Sequence, residues 1–256
     1  MNRRVFITGG ASGLGLALAL RCAQQGWRVC IGDCNEQRGR ATGLPFIPCD
    51  VRREEDLLLA RDHLQTLWGG VDVVVNNAGI CGAGNFETTP IDEWMRILDV
   101  NLLGVVRGCK VFTPVFQRQG GGHFVNMASV AGLFEPPLMS VYNVSKAGVI
   151  KLSETLAVEL HPHNIQVSVI CPFFVKTNLT ESLGPCDAEL QNSIARVFEL
   201  AYLSADQVAE SIFQCIQKPR FFVVPHGRER LFWYLKGLLP HWLYVRLFRR
   251  LAAACR

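Results

Sequence analysis

Residues 8–15 read TGGASGLG, and this glycine-rich run decides the fold class. It follows a short β-rich run and passes directly into an apolar helical pattern. Glycines at these positions permit a tight turn and bring the backbone close to a pyrophosphate, while the next helix directs its unpaired N–H groups and positive dipole end at the phosphates. The place of the turn at a strand-to-helix junction therefore predicts a nucleotide site. The expected contacts are Gly9, Ser12, Gly13, Leu14 and Gly15.

Around this turn, short β-rich runs alternate with longer segments of helical length, which predicts crossover units on a parallel sheet. The expected strands are Val5–Thr8, Val29–Asp33, Phe46–Asp50, Val71–Asn76, His123–Ala128, Gln166–Cys171 and Phe221–Val224. The expected helices are Leu14–Gln25, Arg53–Trp68, Ile91–Gln117, Val141–His161 and Ala205–Gln217, with glycines after several of them as stops. The pattern indicates an α/β, doubly wound Rossmann fold, with a seven-stranded, mostly parallel sheet and helices on both faces.

The length and composition of the chain favour one large domain. With 256 residues, of which 49% are hydrophobic and 19% charged, the chain can bury a sizeable core. We expect residues 1–225 to form a single Rossmann-fold domain. Within it, residues 178–204 interrupt the sequence between a strand and a helix, and we predict a substrate lid there because loops of this length are usually functional. Residues 226–256 are predicted to form a basic, aromatic, helical tail.

The cysteines and the charge distribution indicate the compartment and exclude some partners. Ten cysteines are scattered without a CxxC pair or a His cluster, which predicts reduced thiols and no metal site. The first apolar run is broken by glycines too soon for a signal peptide. No stretch reaches the roughly 18 apolar residues of a spanning helix, and residues 1–225 carry a net charge of −2 with no basic stripe for nucleic acid. We therefore expect a cytoplasmic protein that binds no nucleic acid, with membrane association as an alternative.

Asp33 discriminates between the two nicotinamide cofactors. It lies eighteen residues beyond Gly15, at the end of the second expected strand. A carboxylate there accepts hydrogen bonds from a ribose 2′-hydroxyl and repels a 2′-phosphate, which favours NAD(H) over NADP(H). A strand-end turn residue is the alternative, and Arg38 and Arg40 lie close enough downstream to keep NADP open.

Two further turns follow neighbouring strands at the same sheet edge. Asp50 and Val51 follow the third expected strand and are placed to hold an adenine. Residues 76–79, NNAG, form a small-residue turn after the fourth. Because ligands of such sheets bind beyond the carboxyl ends of the strands, this turn is expected to contact the cofactor. Its contacting residues are Asn77, Ala78 and Gly79.

A tyrosine and a lysine one helical turn apart predict an acid/base centre. Tyr142 and Lys146 begin the helix after the fifth strand, where their spacing places them on one face. A free tyrosine has a pKa of about 10, so a base near neutrality needs neighbouring positive charge, which the lysine and a cationic nicotinamide ring can supply. Ser129, at the end of the fifth strand, can hydrogen-bond a substrate oxygen, and Asn101 can hold a water that relays protons to Lys146. Each residue alone also fits an ordinary turn or helix contact, but together they lie at the ends of successive elements and indicate one site.

These residues resemble the short-chain dehydrogenase/reductase family over residues 3–225. Five motifs occur in family order: the TGxxxGxG turn at 8–15, Asp50, NNAG at 76–79, Asn101 with Ser129, and Tyr142 with Lys146. The resemblance implies a catalytic domain in which Tyr142 is the acid/base and Ser129 the donor to the substrate oxygen. It also implies that Lys146 pairs with the phenolate and binds the nicotinamide ribose, and that Asn101 holds a water. The implied assembly is a homodimer or homotetramer built from the helices that carry Asn101 and Tyr142.

The chain departs from the family after the sixth strand. Where the family reads PG with a Thr four residues on, this chain has Phe173 in the glycine position and Thr177 placed to touch the nicotinamide amide or the pyrophosphate. Pro172 and Val175 are the other expected cofactor contacts here. Phenylalanine cannot adopt the positive φ of glycine freely, so either the cofactor binds more loosely or an aromatic wall narrows the pocket.

The tail interleaves aromatic residues with cations. Residues 226–256 hold seven Lys/Arg and one acidic residue, a net charge of +6. Pro240 separates a first helix from a second at residues 242–254. A basic amphipathic segment of this kind can contact a membrane surface through residues 226–251; alternatively, the helices cover the substrate cleft or a subunit interface. One helical face carries Leu231, Leu235, Leu238 and Trp242.

The leading hypothesis is an NAD(H)-dependent oxidoreductase that interconverts a secondary alcohol and a ketone on an apolar substrate. The lid and tail offer apolar and aromatic residues in place of paired charges: Phe198, Leu200, Tyr202 and Trp233. The alternative from another class is a cofactor-sensing binding protein on the same fold with little or no turnover. The intact catalytic set argues against it.

Overall fold

A computed structural model of the chain describes residues 3–175, 201–240 and 242–246. Seven strands form one sheet in the order β3-β2-β1-β4-β5-β6-β7, and all six strand pairings are parallel. The predicted doubly wound sheet is therefore confirmed, and it is parallel throughout. The strands are β1 Arg4–Thr8, β2 Arg28–Asp33, β3 Phe46–Pro48, β4 Val73–Asn76, β5 Gly122–Met127, β6 Ile165–Ile170 and β7 Phe222–Val223.

Helices connect the strands and cover both faces of the sheet, as predicted. Two of them end where the sequence places a glycine stop, because Gly69 and Gly120 adopt left-handed C-cap conformations with φ of 71° and 81°. The helices of the described ranges are α1 Gly13–Gln24, α2 Glu36–Ala41, α3 Glu54–Trp68, α4 Ile91–Leu98, α5 Gly104–Gln119, α6 Ser140–Glu159, α7 Ala205–Gln217 and α8 Gly227–Leu238.

Alternating residues of the strands divide the core into two layers. On β1, Phe6 faces a layer formed with α3, α5 and α6, while Val5 and Ile7 face a layer formed with α1 and α7. All three side chains are fully buried. Both sides of the sheet are therefore apolar, which is why its strands read as near-continuous hydrophobic runs.

The predicted helix over 91–117 is wrong in one respect, because a π-helical segment at Asp99–Leu103 separates α4 from α5. A single inserted residue of this kind leaves the apolar spacing almost unchanged, so the sequence pattern does not reveal it. The prediction also lacks α2, a six-residue polar helix whose N-cap, Asn35, accepts a hydrogen bond from the Arg38 backbone N–H at 2.9 Å.

Other differences concern the ends of elements. The predicted third strand reaches Asp50, but β3 ends at Pro48, because the Asp50 carboxylate accepts the Arg52 N–H at 3.0 Å and turns the chain. The helix predicted to reach His161 ends at Glu159, where a short 3-10 turn containing Pro162 follows. Residues 178–200 of the predicted lid, and Thr177 before it, lie outside the described residues. Of the second tail helix, residues 242–246 are described and helical.

The described cysteines form no disulfide, and seven of these eight are buried while Cys34 is exposed. Their burial agrees with a role as small hydrophobic residues. Among the residues that the structure describes, no helix is both long and apolar enough to cross a membrane.

Candidate functional site

The glycine turn between β1 and α1 is held by the side chain of Asn77, the residue that follows β4. Asn77 donates hydrogen bonds from Nδ2 to the carbonyls of Thr8, at 2.9 Å, and Gly9, at 3.0 Å. Gly9 has a φ of +64°, and a Cβ on Gly15 would lie 2.2 Å from the Gly9 oxygen. The turn can therefore exist only with glycine at Gly9 and Gly15.

The start of α1 is suited to hold an anion. Its N-cap residue, Ser12, makes no side-chain capping hydrogen bond, and the first turn contains no acidic residue. The helix dipole and the N–H groups of this turn thus face the sheet edge without a carboxylate from the helix itself. This is the donor set that a pyrophosphate requires.

Asp33 lies beside this turn at the end of β2. One carboxylate oxygen accepts the Ala11 N–H at 3.1 Å and the other accepts the Asn35 N–H at 2.9 Å. Asp50 lies two residues beyond the end of β3, the neighbouring strand, and forms an ion pair with Arg52 at 2.6 Å, which holds the pKa of its carboxyl below the usual value. Both acids are thereby fixed at one edge of the sheet.

A cavity of about 550 Å³ runs along this edge, within the usual range for cofactor and ligand sites. It brings together all the cofactor residues predicted from the sequence except Thr177, which lies outside the described residues. From the glycine turn and the strand ends the lining includes Gly9, Ser12, Gly13, Leu14, Gly15, Asp33, Asp50, Val51, Asn77, Ala78 and Gly79. From the opposite end it includes Ser129, Tyr142, Lys146, Pro172 and Val175.

Tyr142 and Ser129 lie together in the wall of this cavity. Burial raises the pKa of Tyr142 above its ordinary value, the neighbouring Cys81 adds to this, and a hydrogen bond with the Ser129 side chain lowers it. Ser129 is itself held in place, since its Oγ accepts the Ala131 N–H at 3.1 Å and donates to the Pro172 carbonyl at 3.4 Å. The tyrosine is therefore a protonated hydroxyl directed at a fixed serine.

Lys146 lies one turn along α6 from Tyr142, as its spacing predicts. Its Nζ is 5.7 Å from the centre of the Tyr142 ring and donates a hydrogen bond to the Met127 carbonyl at 3.0 Å. Burial lowers the pKa of Lys146 to about 8, although Cys171 and Cys81 act in the opposite direction. A buried ammonium next to the phenol favours the phenolate form.

Asn101 occupies the π-helical segment, where its side chain is fully buried. Its amide pairs with the backbone of Ile80, accepting the N–H at 2.8 Å and donating to the carbonyl at 2.9 Å, and it also donates to Ser145 Oγ at 3.2 Å. A Cβ on Gly79 would lie 3.3 Å from Asn101 Oδ1 and 3.4 Å from Lys146 Nζ. The glycine thus keeps side-chain atoms out of the space between the amide and the ammonium.

Phe173 does not need the backbone conformation of a glycine. Among the described residues other than glycine, only Leu138 and Asn164 have a positive φ. The Phe173 N–H donates to Nδ1 of His226 at 3.2 Å, and its ring packs edge-on against Phe174 and His226. Because Phe173 lines the cavity, the aromatic wall is the alternative that fits.

The sequence analysis missed several contributors to the site, among them Cys81, which lines the cavity and packs with Tyr142. Met139 and Phe174 pack with Tyr142 in a small apolar cluster, and both line the cavity. His226 is fully buried behind Phe173, and its Nε2 has no hydrogen-bond partner among the described residues. Met139 lies three residues before Tyr142, so helix spacing could have found it. Nothing local marks His226, which is 53 residues from Phe173. Tyr202 and Trp233, which were expected at the substrate, do not line the cavity.

Comparisons with known proteins agree with this geometry. A family profile described as short chain dehydrogenase matches residues 3–187. The chain is 32% identical to 2-(R)-hydroxypropyl-CoM dehydrogenase of Xanthobacter autotrophicus over 83% of its length and 90% of that protein. It is also 32% identical to 3-alpha-(or 20-beta)-hydroxysteroid dehydrogenase of Mycobacterium tuberculosis over 82% and 85%. A short chain dehydrogenase/reductase from Burkholderia phymatum, crystallised with NAD, superimposes with a TM-score of 0.85 at 29% identity, covering 92% of this chain and 93% of that one.

Proposed function

The chain belongs to the short-chain dehydrogenase/reductase family, whose oxidoreductases act on CH–OH groups with a nicotinamide cofactor, and from this premise we propose that it interconverts a secondary alcohol and a ketone with NAD(H). The observation that carries the proposal is the buried Tyr142 hydroxyl, held against Ser129 in the wall of the cavity that also contains the glycine turn.

Tyr142 and Ser129 act on the substrate oxygen. In the reducing direction, the Tyr142 hydroxyl gives its proton to the carbonyl oxygen while Ser129 donates a hydrogen bond to the same atom, where negative charge develops. In the oxidising direction, the Tyr142 phenolate takes the proton of the alcohol. When bound, the nicotinamide supplies or accepts the hydride at the substrate carbon.

Lys146 stabilises the charge on Tyr142 during this exchange, and Asn101 takes part in the proton transfer. The Lys146 ammonium stabilises the Tyr142 phenolate across the 5.7 Å between Nζ and the ring centre. Asn101 is locked by three hydrogen bonds to Ile80 and Ser145, which leaves a second lone pair on Oδ1 toward Gly79. In our proposal this amide oxygen holds a water that relays protons to Lys146.

The cofactor is held between the glycine turn and the strand ends, with preference for NAD(H). The first turn of α1 would bind the pyrophosphate, Asp50 and Val51 would hold the adenine, and Asn77, Ala78 and Gly79 would also contact the cofactor. Asp33 supports the preference, because its fixed carboxylate would accept from a ribose 2′-hydroxyl and repel a 2′-phosphate. Lys146, Pro172 and Val175, which line the other end of the cavity, would contact the nicotinamide half, as would Thr177 by its place in the sequence.

The substrate is proposed to be apolar. Beside Tyr142 the cavity is lined by Cys81, Met139, Phe173 and Phe174, so the side of the site that faces the reacting oxygen has aliphatic, sulfur and aromatic surfaces. Apolar side chains of this kind favour a hydrocarbon-rich alcohol or ketone. The hydroxysteroid dehydrogenase among the relatives is named for a substrate of this character.

A homodimer or homotetramer formed by the helices around Asn101 and Tyr142 is the proposed assembly. Exposed apolar residues on these helices support it, namely Met95 on α4 and Val144 and Val158 on α6. We further propose that residues 1–225 form the catalytic unit, with residues 178–204 as its substrate lid.

Parallel titrations with NADH and NADPH, followed by nicotinamide fluorescence, test the cofactor part of the proposal without a substrate. Tyr142→Phe then tests the chemistry in a screen of apolar secondary alcohols and ketones. We expect tighter NADH binding, retained in the variant, and a loss of turnover of about 10²–10⁴-fold. Tyr234→Phe is the matched control, because this tyrosine is exposed on α8. Binding of neither cofactor, or full turnover by Tyr142→Phe, would refute the proposal.

A further inference from the structure

An exposed apolar stripe runs along α8 to the start of the helical residues 242–246. It consists of Leu231, Tyr234, Leu235, Leu238 and Trp242, of which Leu238 is 81% and Trp242 65% exposed. The first four lie within one face of a helix, at intervals of three and four residues. Large apolar side chains gathered on one exposed face mark an interaction surface, whereas scattered ones do not.

The opposite face of the tail fixes the direction of this stripe. Lys236 donates from Nζ to the Leu133 carbonyl at 2.5 Å and to Glu135 Oε1 at 2.6 Å, and the Tyr244 hydroxyl also bonds to Glu135. These contacts reach the segment that directly follows the turn at Ser129.

Aromatic contacts hold the same face at two further points. The Trp233 ring lies 4.8 Å from the ring of Phe222 on β7, and Phe232 lies 5.3 Å from Phe134. The body of the helix is therefore docked on the domain, and the stripe faces outward.

Cations flank the stripe. Arg228, Arg230 and Arg246 are exposed in the described part of the tail, and Glu229 is the one acidic residue of the whole tail. The Glu229 carboxylate accepts a hydrogen bond from the Tyr202 hydroxyl at 2.6 Å. A basic surface that also carries Trp, Tyr and Leu side chains complements an anionic lipid interface, where aromatic rings settle at the headgroups and cations meet the lipid charges.

We propose that the stripe of α8 docks this protein on the surface of an anionic lipid bilayer. A second copy of the chain is a poorer occupant, because a symmetric contact would place the same cations opposite one another. In the docked state α8 would lie between the lipid and the segment after Ser129. The docking itself does not depend on the proposed reaction, although it would suit an enzyme with an apolar substrate.

Co-sedimentation with vesicles tests this inference on the full chain. We expect the protein to sediment with phosphatidylcholine vesicles that contain about one third phosphatidylserine, to bind pure phosphatidylcholine less, and to be released by high salt. The double variant Leu235→Glu/Leu238→Glu should partition at least about tenfold less, because it places two carboxylates in the apolar face.

A matched control separates position from charge. Leu59→Glu/Leu67→Glu adds the same two charges at exposed leucines of α3 and should bind vesicles like the unaltered protein. NADH titration of both variants shows whether each is folded and keeps this result separate from the fate of the proposed reaction. The inference would be overturned if the unaltered protein did not bind vesicles, if the α8 variant bound as well as it, or if the α3 variant lost as much binding. It would also be overturned if light scattering showed a smaller oligomer for the α8 variant, because the stripe would then contact a second copy of the chain.

Discussion

Two loops close the cofactor cavity, and they are held in different ways. The glycine turn after β1 is held by Asn77, which directly follows β4, the neighbour of β1 in the sheet. The segment after β6 is held by His226, which lies beyond the last strand and begins the tail. The first loop is therefore a property of the fold alone, whereas the second depends on a tail whose outer face is exposed. The tail thus contributes, through His226, to the structure of the cofactor cavity.

The largest effect on NADH binding should come from a side chain that the glycine turn cannot accommodate. In Gly15→Ala the new Cβ would lie 2.2 Å from the Gly9 oxygen and 2.5 Å from Asn77 Nδ2, so the turn must open. We expect NADH affinity to fall by more than about 100-fold, because the start of α1 can no longer face the phosphates. Fluorescence titration measures the loss. Gly237→Ala is the control, since a Cβ there meets nothing within 4 Å, and unchanged NADH binding by Gly15→Ala would show that the turn does not hold the cofactor.

Removing the Asn77 side chain, while the turn keeps its glycines, should have a smaller effect on NADH binding than Gly15→Ala. Asn77→Ala leaves the Thr8 and Gly9 carbonyls without their donor, at a cost of about 1–3 kcal/mol in the free energy of unfolding. We expect NADH affinity to fall by about tenfold, because this turn also supplies part of the site. Urea unfolding and NADH titration measure the two effects. An unfolding free energy equal to that of the unaltered protein would contradict the role of Asn77 in holding the turn.

The same contrast explains how far the sequence predicts the molecule. The seven strands, the glycine turn and the Tyr142–Lys146 pair are local patterns, and the structure brings their residues to one cavity. The π-helical segment is not predicted, because it leaves the apolar spacing almost unchanged, and the pairing of its Asn101 with Ile80 in another loop leaves no local pattern. At Phe173 the sequence leaves two alternatives open for a related reason, because the partner of its backbone N–H, His226, is 53 residues away in the chain.

The second loop gives the next prediction. His226→Phe keeps a flat ring but removes the acceptor of the Phe173 N–H, so the aromatic wall of the cavity should loosen. We expect a rise of about five- to tenfold in the KM for substrate, with a smaller change in kcat. His226→Asn should restore most of the loss, because its Oδ1 can accept the same N–H.

The His226 variants also separate the positioning of the Phe173 loop from the overall stability of the protein. His63→Phe, at an exposed position on α3, is the matched control and should leave KM unchanged. Thermal unfolding of each variant shows whether the fold itself is affected. If His226→Asn were as impaired as His226→Phe, the hydrogen bond to Phe173 would not be what positions the loop.

The smallest effect concerns Lys146, which lies between the two loops. Its pKa is lowered from 10.5 to about 8, so the ammonium is present below that pH and is lost as the pH rises through it. Reduction of a ketone turns Tyr142 into a phenolate that this ammonium stabilises, and the rate should therefore fall as the pH rises above about 8, by no more than about tenfold per pH unit. Lys146→Arg keeps its charge at all these pH values. The variant should reduce the ketone more slowly, but the pH at which its rate begins to fall should be higher. A rate that still falls as the pH passes about 8 would assign the titration to another group.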